Sequence, residues 1–294
     1  MDQKTGSKIR IIISMVIFGT IGVFRHYTPL PSSLIAMVRG LIGASFLLLL
    51  RLIRRSPSNK QAIRRQLPLL CISGALIGFN WIMLFEAYRY TTVAIATLCY
   101  YMAPILVILV SPLLLREKLT VRKLLCVLCA LLGMVFVSGV PAGGIPQNGE
   151  LRGILLGLIA AVIYACVVIL NKKFTDLSAF DRTTVQLLSA GLVLIPYVLA
   201  TEDLSALTMT PLAVTMLLIM GILHTGISYV LYFGSLSVLK AQTAALFSYI
   251  DPIVAVLLSA LLLREPMGLS QTLGAILVLG ATLLSEWPEP KKSA

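Results

Sequence analysis

Two stretches of the chain carry the same pattern, in which a proline is followed by eight residues and then by Leu-Leu-Leu-Arg-Glu. Residues 104–117 read PILVILVSPLLLRE, and residues 252–265 read PIVAVLLSALLLRE. The two copies lie 148 residues apart, and Gly78 and Gly226 keep the same spacing without a gap. A spacing that holds over this length indicates an internal repeat of the chain.

The repeat lies in an unusually apolar chain. Of its 294 residues, 58% are hydrophobic and 12% are charged, whereas soluble domains are about 45–50% apolar and about 25% charged. Charges, prolines and polar clusters divide the chain into ten apolar segments, each close to the ~20 residues that cross a bilayer. We therefore predict an all-α integral membrane protein. Its ten spans are expected at residues 9–27, 33–53, 67–88, 92–115, 120–140, 151–171, 181–200, 211–236, 241–263 and 268–286.

The number of spans in each repeat has a consequence for topology. Five is an odd number, so the second copy must enter the membrane from the opposite side. We predict a first five-helix repeat at residues 1–140, a linker at 141–150, and a second, inverted five-helix repeat at 151–294. Inverted repeats recur in secondary transporters, whose halves rock about a central site and expose it alternately to the two sides.

The net charge of +12 is explained by topology. With the N-terminus in the cytoplasm, 19 of the 24 Lys and Arg residues fall in cytoplasmic segments, as the positive-inside rule requires. Both termini are then cytoplasmic, and we expect a multi-pass protein of the bacterial plasma membrane, in contact with its lipid. The basic charge therefore does not indicate nucleic-acid binding.

In these features the chain resembles the drug/metabolite transporter superfamily, and most of all its EamA-like ten-helix exporters. The likeness rests on ten spans, a five-plus-five duplication, a proline in spans four and nine, and the Arg-Glu that ends each of those spans. The resemblance implies a central cavity lined by spans one to four and six to nine, with spans five and ten at the periphery. That family handles amino acids, nucleotide derivatives, nucleotide sugars and organic cations, so it leaves the substrate open.

Ionisable side chains inside a bilayer are costly, so each is a candidate for function. Asp251 lies near the middle of span nine, directly before Pro252, and His224 lies near the middle of span eight. Inverted-repeat transporters bind their substrates at this depth. Asp251 could bind a cationic amine or carry a proton that exchanges for substrate, and His224 could share that proton. The alternative is that either side chain only joins two helices by a hydrogen bond.

Two further charges lie nearer the outer face, Arg39 in span two and Glu86 at the end of span three. They could pair with each other, or Arg39 could extend its charged end to the interface. In the functional alternative, Arg39 meets a substrate carboxylate with its two-pronged guanidinium, and Glu86 takes part in coupling.

Aromatic and polar groups at mid-depth complete the predicted site. Interfacial belts would place Trp and Tyr at span ends, so a mid-depth set suits a pocket for a cation or a planar group. Pro104 and Pro252 also deprive the carbonyls of Tyr100 and Ser248 of their helical donors. The additional substrate-binding candidates are Asn80, Trp81, Tyr101, Tyr164, Tyr229, Ser248 and Tyr249.

Other functional classes find little support in the sequence. Motifs of hydrolases and zinc enzymes are missing, and the chain has two histidines, so we predict no enzyme, no metal site and no cofactor. The predicted function is secondary transport of a small polar metabolite of the amino acid or amine type, by export or exchange. The alternatives are a multidrug or quaternary-cation exporter and a lipid-carrier flippase. The glycine pair Gly153 and Gly157 could support a homodimer. Glu117 and Glu265 are each expected to serve the start of the helix that follows them.

Overall fold

The computed structural model describes residues 3–286 with several gaps, and the described part contains helices and no strand. The residues outside the description are 1–2, 56, 115–119, 138–147, 172, 237, 240–246, 248–249 and 287–294. The predicted all-α class is therefore confirmed for the described residues.

The helices follow the order of the predicted spans. In the first half they are α1 (Gln3–Gly19), α2 (Ile21–His26), α3 (Ser32–Arg54), α4 (Lys60–Tyr90), α5 (Val93–Tyr100), α6 (Ala103–Leu114) and α7 (Val121–Val137). In the second half they are α8 (Asn148–Asn171), α9 (Ala179–Thr201), α10 (Pro211–Ile219), a π-helical segment (Met220–Ile227), α11 (Ser228–Leu236), α12 (Ile250–Leu261) and α13 (Leu269–Glu286). A short 3₁₀ turn covers Leu204–Ala206.

Six helical segments of the described chain are long and apolar enough to cross a membrane. They are Lys4–His26, Ser32–Arg54, Lys60–Tyr90, Gly149–Asn171, Ala179–Thr201 and Pro211–Tyr232. The remaining four predicted spans hold shorter apolar helices, at Val93–Val107, Leu124–Val137, Ile250–Leu261 and Leu269–Ala281. The total of ten spans and the inversion of the second repeat stay predictions.

Helix α4 begins earlier than the span that the sequence predicts. The apolar run starts at residue 67, but the helix starts at Lys60, where the side chain of Asn59 accepts a hydrogen bond from the Ala62 amide at 3.1 Å. This cap satisfies an amide of the first turn, and Pro68 is tolerated inside the helix. Charged residues mark where the apolar run begins, whereas the cap marks where the helix begins.

Close helix crossings in the bundle depend on glycine. Where α3 meets α9, a Cβ on Gly191 would lie 2.6 Å from the Leu41 side chain. Where α7 meets α13, a Cβ on Gly274 would lie 2.6 Å from the carbonyl oxygen of Gly133. Membrane helices associate through small residues because lipid removes the hydrophobic driving force between them. Helices α7 and α13 contact each other extensively, and the resemblance predicts this pair at the periphery.

The main helix contacts follow a regular scheme when spans are numbered one to ten along the chain. Span three (α4) packs against spans six (α8) and seven (α9), and span eight packs against spans one (α1) and two (α3). Span four packs against span six, and span nine against span one. The pairs two–seven, four–nine and five–ten are also in contact. Exchanging each span of one half for its counterpart in the other leaves this set unchanged.

The same correspondence holds for individual residues. A Cβ on Gly78 would lie 3.1 Å from the Leu194 side chain, and a Cβ on Gly226 would lie 2.4 Å from the Phe46 ring. Gly78 and Gly226 are 148 residues apart, and so are Phe46 and Leu194. Two glycines related by the sequence repeat therefore contact two side chains related by the same spacing.

Glu265 serves a different helix from the one that the sequence predicts. Its carboxylate accepts a hydrogen bond from the Val93 amide at 2.9 Å, at the start of α5, and another from the Ser259 hydroxyl at 2.5 Å. The expected role at the start of the following helix, α13, is therefore wrong, because the bundle brings α5 within reach of the carboxylate. Glu117 lies outside the described residues.

This cap leads to a stability prediction. Glu265→Ala is expected to lower the free energy of unfolding by about 1–2 kcal/mol, because the α5 amide loses a charged acceptor. Glu265→Gln, which keeps an acceptor oxygen, should lose less. Thermal unfolding of the purified variants measures the difference, and equal losses in both variants would contradict a capping role.

Candidate functional site

Several spans are interrupted, and the interruptions meet inside the bundle. Span one breaks at Thr20 between α1 and α2, and span four breaks at Tyr101 and Met102 between α5 and α6. Span eight changes to a π-helix over Met220–Ile227. Transporters build substrate sites from discontinuous helices of this kind, because a break supplies polar backbone at membrane depth.

Pro252 is the third residue of α12, and the residues directly before this helix, 248 and 249, lie outside the described part of the chain. Pro104 lies at a helix start, in the first turn of α6. Proline is well tolerated there because amides of the first turn have no partner within the helix. The Tyr100 carbonyl thus lies at the end of α5, whereas Ser248 and Tyr249, both predicted site residues, lie outside the described part of the chain.

Asp251 lies in the first turn of α12, where three spans meet. Its carboxylate lies beside the Tyr101 side chain of span four. Its backbone carbonyl packs against span one, where a Cβ on Gly19 would lie only 2.6 Å from the oxygen. Asp251 is half-buried. Two residues predicted separately from the two repeats, Tyr101 and Asp251, are thus neighbours in the folded chain.

Tyrosine rings from several helices surround this carboxylate. The Tyr100 ring centroid lies 5.4 Å from that of Tyr164 and 6.0 Å from that of Tyr101. Tyr164 is 39% exposed, and Tyr229 lies near the same rings. Rings from spans four and six thus converge beside Asp251. The structure therefore brings together Asp251, Tyr101, Tyr164 and Tyr229 of the predicted set.

Hydroxyl groups in and next to the π-helical segment donate hydrogen bonds to carbonyls of the same segment. The Thr225 hydroxyl donates to the Met220 carbonyl at 2.9 Å, and the Ser228 hydroxyl donates to the Leu223 carbonyl at 2.9 Å. Each acceptor lies five residues earlier, which is the spacing of a π-helix. The widened turn places the Thr225 hydroxyl where it can also accept a hydrogen bond from α3.

Arg39 of α3 donates that hydrogen bond. Its Nε lies 3.1 Å from the Thr225 hydroxyl, and its guanidinium carbon lies 4.1 Å from the centre of the Trp81 ring and 5.4 Å from that of Phe85. Arg39 is 4% exposed, so the expectation that it extends to the interface is wrong.

The predicted pairing of Arg39 with Glu86 is also wrong. Glu86 instead pairs with Arg89 at 3.2 Å, three residues later on the same helix. Neighbours at this spacing share a helix face, so the local partner prevails over the distant one. Glu86 is therefore not brought to the tyrosine cluster, and its part in coupling stays a prediction.

His224 is fully buried between span eight and span one. Its Nε2 lies 2.8 Å from the Thr20 hydroxyl, and its ring packs edge-on against Phe24 with centroids 4.8 Å apart. Its Nδ1 lies 3.4 Å from the Ile219 carbonyl oxygen. The ring thus has a partner at both nitrogens and no accessible surface. This arrangement matches the alternative in which His224 joins two helices, and contact with a substrate stays a prediction.

Asn80 joins helices α4 and α8. Its side-chain amide donates to the Ala160 carbonyl at 2.6 Å, and the residue is buried. The neighbouring Trp81 is buried beneath Arg39. Asn80 and Trp81 are therefore buried packing residues next to Arg39 and α8. Their contact with a substrate stays a prediction.

Two side chains near the site were missed by the sequence reasoning, those of Thr20 and Tyr88, and Tyr100 was considered only for its carbonyl. The Tyr88 ring lies 6.4 Å from that of Phe85, which flanks Arg39. It follows Trp81 and Phe85 at helical spacing, so an aromatic stripe along α4 could have revealed it. Thr20 and Thr225 become significant only through contacts between distant spans, which no local pattern encodes.

Comparison with known proteins places the chain among transporters. The model of the EamA-like transporter family matches residues 8–139 and again residues 151–287. The "Uncharacterized transporter YxxF" of Bacillus subtilis (strain 168) is 32% identical over 285 residues, covering 96% of this chain and 90% of that protein. Protein PecM of Dickeya dadantii (strain 3937) is 29% identical over 220 residues, covering 73% of this chain and 72% of its own.

A solved crystal structure with the same fold is among those that the chain resembles. It superposes with a TM-score of 0.68 at 18% sequence identity and covers 95% of this chain and 96% of its own. At this level of identity the match concerns the fold alone.

Proposed function

This chain belongs to the EamA-like transporter family, and we propose on that premise that it is a secondary transporter of a small polar metabolite. The proposed substrate is of the amino acid or amine type, and the mechanism is alternating access. The observation that carries the proposal is Asp251, whose carboxylate lies beside Tyr101 and a cluster of tyrosine rings where spans one, four and nine meet. An acidic group held at such a place can bind a cationic amine or carry an exchanged proton.

The inverted repeat is supported by three observations. The same family model matches both halves of the chain. The main helix contacts between the halves form a set that is unchanged when the halves are exchanged. The pair Gly78–Leu194 corresponds to the pair Gly226–Phe46 through the 148-residue spacing. We therefore propose residues 1–140 and 151–294 as the two repeats, joined by residues 141–150.

Alternating access is supported by paired contacts at the two ends of α3 and α9. At one end, Arg51 near the end of α3 pairs with Asp181 at the start of α9. At the other end, the Ser33 hydroxyl at the start of α3 donates to Glu202, next to the end of α9, at 2.5 Å. Ser33 and Asp181 are 148 residues apart. Equivalent contacts at opposite ends suit a mechanism in which each in turn opens.

The placement in the cell follows from charge. We propose a bacterial plasma membrane location with cytoplasmic N- and C-termini, because this orientation places 19 of the 24 Lys and Arg residues on the cytoplasmic side. Transport would proceed by export or exchange. A Cβ on Gly153 would clash with Thr91, between spans three and four, and one on Gly157 would clash with Cys99 of span four. These two glycines, predicted as a homodimer contact, therefore favour packing within the chain.

The test measures ligand-induced thermal stabilisation of the detergent-purified protein. Amino acids and amines are expected to raise the melting temperature of the wild type, because a ligand that binds only the folded state stabilises it by mass action. Asp251→Asn should lose this shift. Glu150→Gln, which removes a carboxylate from the first turn of α8 instead, should keep it.

Compounds that stabilise the wild type are then tested for counterflow in proteoliposomes. Saturable exchange that Asp251→Asn lacks supports the proposal. An undiminished thermal shift and undiminished exchange in Asp251→Asn would overturn the assigned role of Asp251.

A second candidate, export of quaternary cations, is favoured by the tyrosine cluster itself. Aromatic faces attract alkylammonium groups, and the Tyr100 ring lies 6.0 Å from that of Tyr101 and 5.4 Å from that of Tyr164. Tetraalkylammonium ions in the same thermal screen distinguish this candidate, since they should stabilise the protein more strongly than primary amines if it is correct.

A further inference from the structure

Arg39 is a buried cation without an acidic partner in the part of the chain that the structure describes. The ion pairs found there join Arg51 to Asp181, Arg65 to Asp176 and Arg89 to Glu86, and Arg39 is 4% exposed. A buried charge is costly unless an opposite charge or a full set of hydrogen bonds compensates it. Arg39 therefore calls for an anion from outside the described side chains.

The surroundings of the guanidinium leave one direction open. Trp81 covers one side at 4.1 Å, Phe85 lies at 5.4 Å, and the Nε edge is taken by the Thr225 hydroxyl. The two terminal amino groups donate no hydrogen bond among the described residues. They are not among the enclosed unpaired atoms, which are Arg25 Nε and Thr91 Oγ1. Both terminal groups therefore keep accessible surface, and they present the paired donors that fit a carboxylate.

Arg25 shows what a structural arginine looks like in the same protein. It is also buried, at 6% exposure, but its terminal groups donate to the Thr28 carbonyl at 2.8 Å and to the Ser32 hydroxyl at 3.0 Å. These bonds tie the end of α2 to the start of α3. Arg39 has no such local partners for its terminal groups, so a purely structural role does not explain it.

A series of contacts links the surroundings of Arg39 to those of Asp251. The Phe85 ring beside Arg39 lies 6.4 Å from the Tyr88 ring, and the Tyr88 hydroxyl lies 3.3 Å from the Thr97 hydroxyl of α5. Thr97 lies one helical turn before Tyr101, the neighbour of Asp251. Aromatic and hydroxyl side chains thus connect the surroundings of a cation on span two with those of an anion on span nine.

We propose that Arg39 binds a carboxylate of the transported molecule, so that the site takes a zwitterion with its carboxylate at Arg39 and its ammonium group at Asp251. The inference rests on the proposed function and narrows it, since a simple amine would leave Arg39 without an anion. Thr225 is a positioning residue here, because its hydroxyl accepts the hydrogen bond from Arg39 Nε. This bond orients the two terminal amino groups of the guanidinium.

The experiment uses matched probes and two variants of the full-length protein. Thermal stabilisation is measured with the twenty proteinogenic amino acids, and each that stabilises is compared with its decarboxylated amine and its deaminated acid. Arg39→Gln removes the charge, and Arg39→Lys keeps the charge but loses the fork. Because Arg39 is an uncompensated charge, the ligand-free melting temperature of Arg39→Gln should not fall below that of the wild type, which checks folding.

We expect the zwitterion to bind at least about tenfold more tightly than either singly charged counterpart, and Arg39→Gln to weaken it by about tenfold or more. Arg39→Lys should fall between. If the amine binds as tightly as the zwitterion and Arg39→Gln binds both as the wild type does, this inference is overturned while the role of Asp251 stands. If the free acid alone binds at Arg39 independently of Asp251, Arg39 holds a separate anion and the zwitterion site is likewise overturned. If no probe stabilises the wild type, both proposals fail.

Discussion

Replacing Asp181 with asparagine is expected to lower the free energy of unfolding by about 3 kcal/mol. Asp181 is 2% exposed and pairs with Arg51, which is 18% exposed. Its carboxylate also accepts hydrogen bonds from the Ser58 hydroxyl at 3.0 Å and from the Ser178 hydroxyl at 2.9 Å. Removing one member of a buried pair leaves the other charge uncompensated, which costs about 3–5 kcal/mol when both groups are fully buried. The partial exposure of Arg51 places the expected loss at the low end.

The chain offers a matched control for this prediction. Asp176, five residues earlier, pairs with Arg65 of α4 at 3.2 Å, but both side chains are more than 60% exposed. Asp176→Asn should therefore cost less than about 1 kcal/mol, as exposed pairs do. Asparagine also tolerates the left-handed backbone at this position, where φ is 58°. Thermal unfolding of both variants in one detergent provides the comparison.

A double-mutant cycle separates the ion pair from the hydrogen bonds. Arg51→Gln combined with Asp181→Asn should recover part of the loss, because the neutral pair leaves no buried charge. If Asp181→Asn and Asp176→Asn lose equal stability, the contact between α3 and α9 at this end is not held by a buried charge pair. The case for it as one of two opposed contacts in alternating access would then weaken as well.

The parts of the fold that were predictable from sequence are those encoded by composition and by the repeat. Apolar runs of about 20 residues locate the spans, because a segment that crosses lipid must satisfy its own backbone hydrogen bonds, as a helix does. The 148-residue spacing relates glycines such as Gly78 and Gly226, and these glycines contact side chains that are related by the same spacing. The helix bounds were less predictable. The α4 helix begins at an Asn59 cap, which the apolar run does not mark.

The candidate site was predictable only as a list of residues. Depth in the membrane selected Asp251, Tyr101, Tyr164 and Tyr229, and the structure brings these four together. The partners of Arg39 and His224 could not be deduced, because they depend on the break at Thr20 and on the π-helical turn around Thr225. The contacts made at these two places join spans that are about 200 residues apart in the chain. The expected partner of Glu86 was also wrong, because Glu86 pairs with Arg89, three residues away, and not with Arg39.

Replacing Gly74 with leucine is expected to cost about 3 kcal/mol or more, and to reduce the yield of folded protein sharply. A Cβ at this position of α4 would lie 2.5 Å from the backbone oxygen of Gln186 and 2.6 Å from the Ser189 Cβ on α9. Backbone atoms cannot move aside as a side-chain tip can, so the two helices must separate. Overpacking of a close contact costs about 1–3 kcal/mol and occasionally more, and separation would also break the buried bond from Gln186 to Ser73, at 2.7 Å.

Gly280→Leu is the control, because no described atom lies within 4 Å of a Cβ at that position of α13. The same leucine added there should change the melting temperature little, since lipid or open space can receive it. The comparison therefore isolates helix contact from the general effect of adding a large apolar side chain to a membrane helix. A Gly74→Leu protein that melts like Gly280→Leu would mean that α4 and α9 are not in close contact. The exchange of helix contacts between the two halves, in which span three packs against span seven as span eight packs against span two, would then lose one of its members.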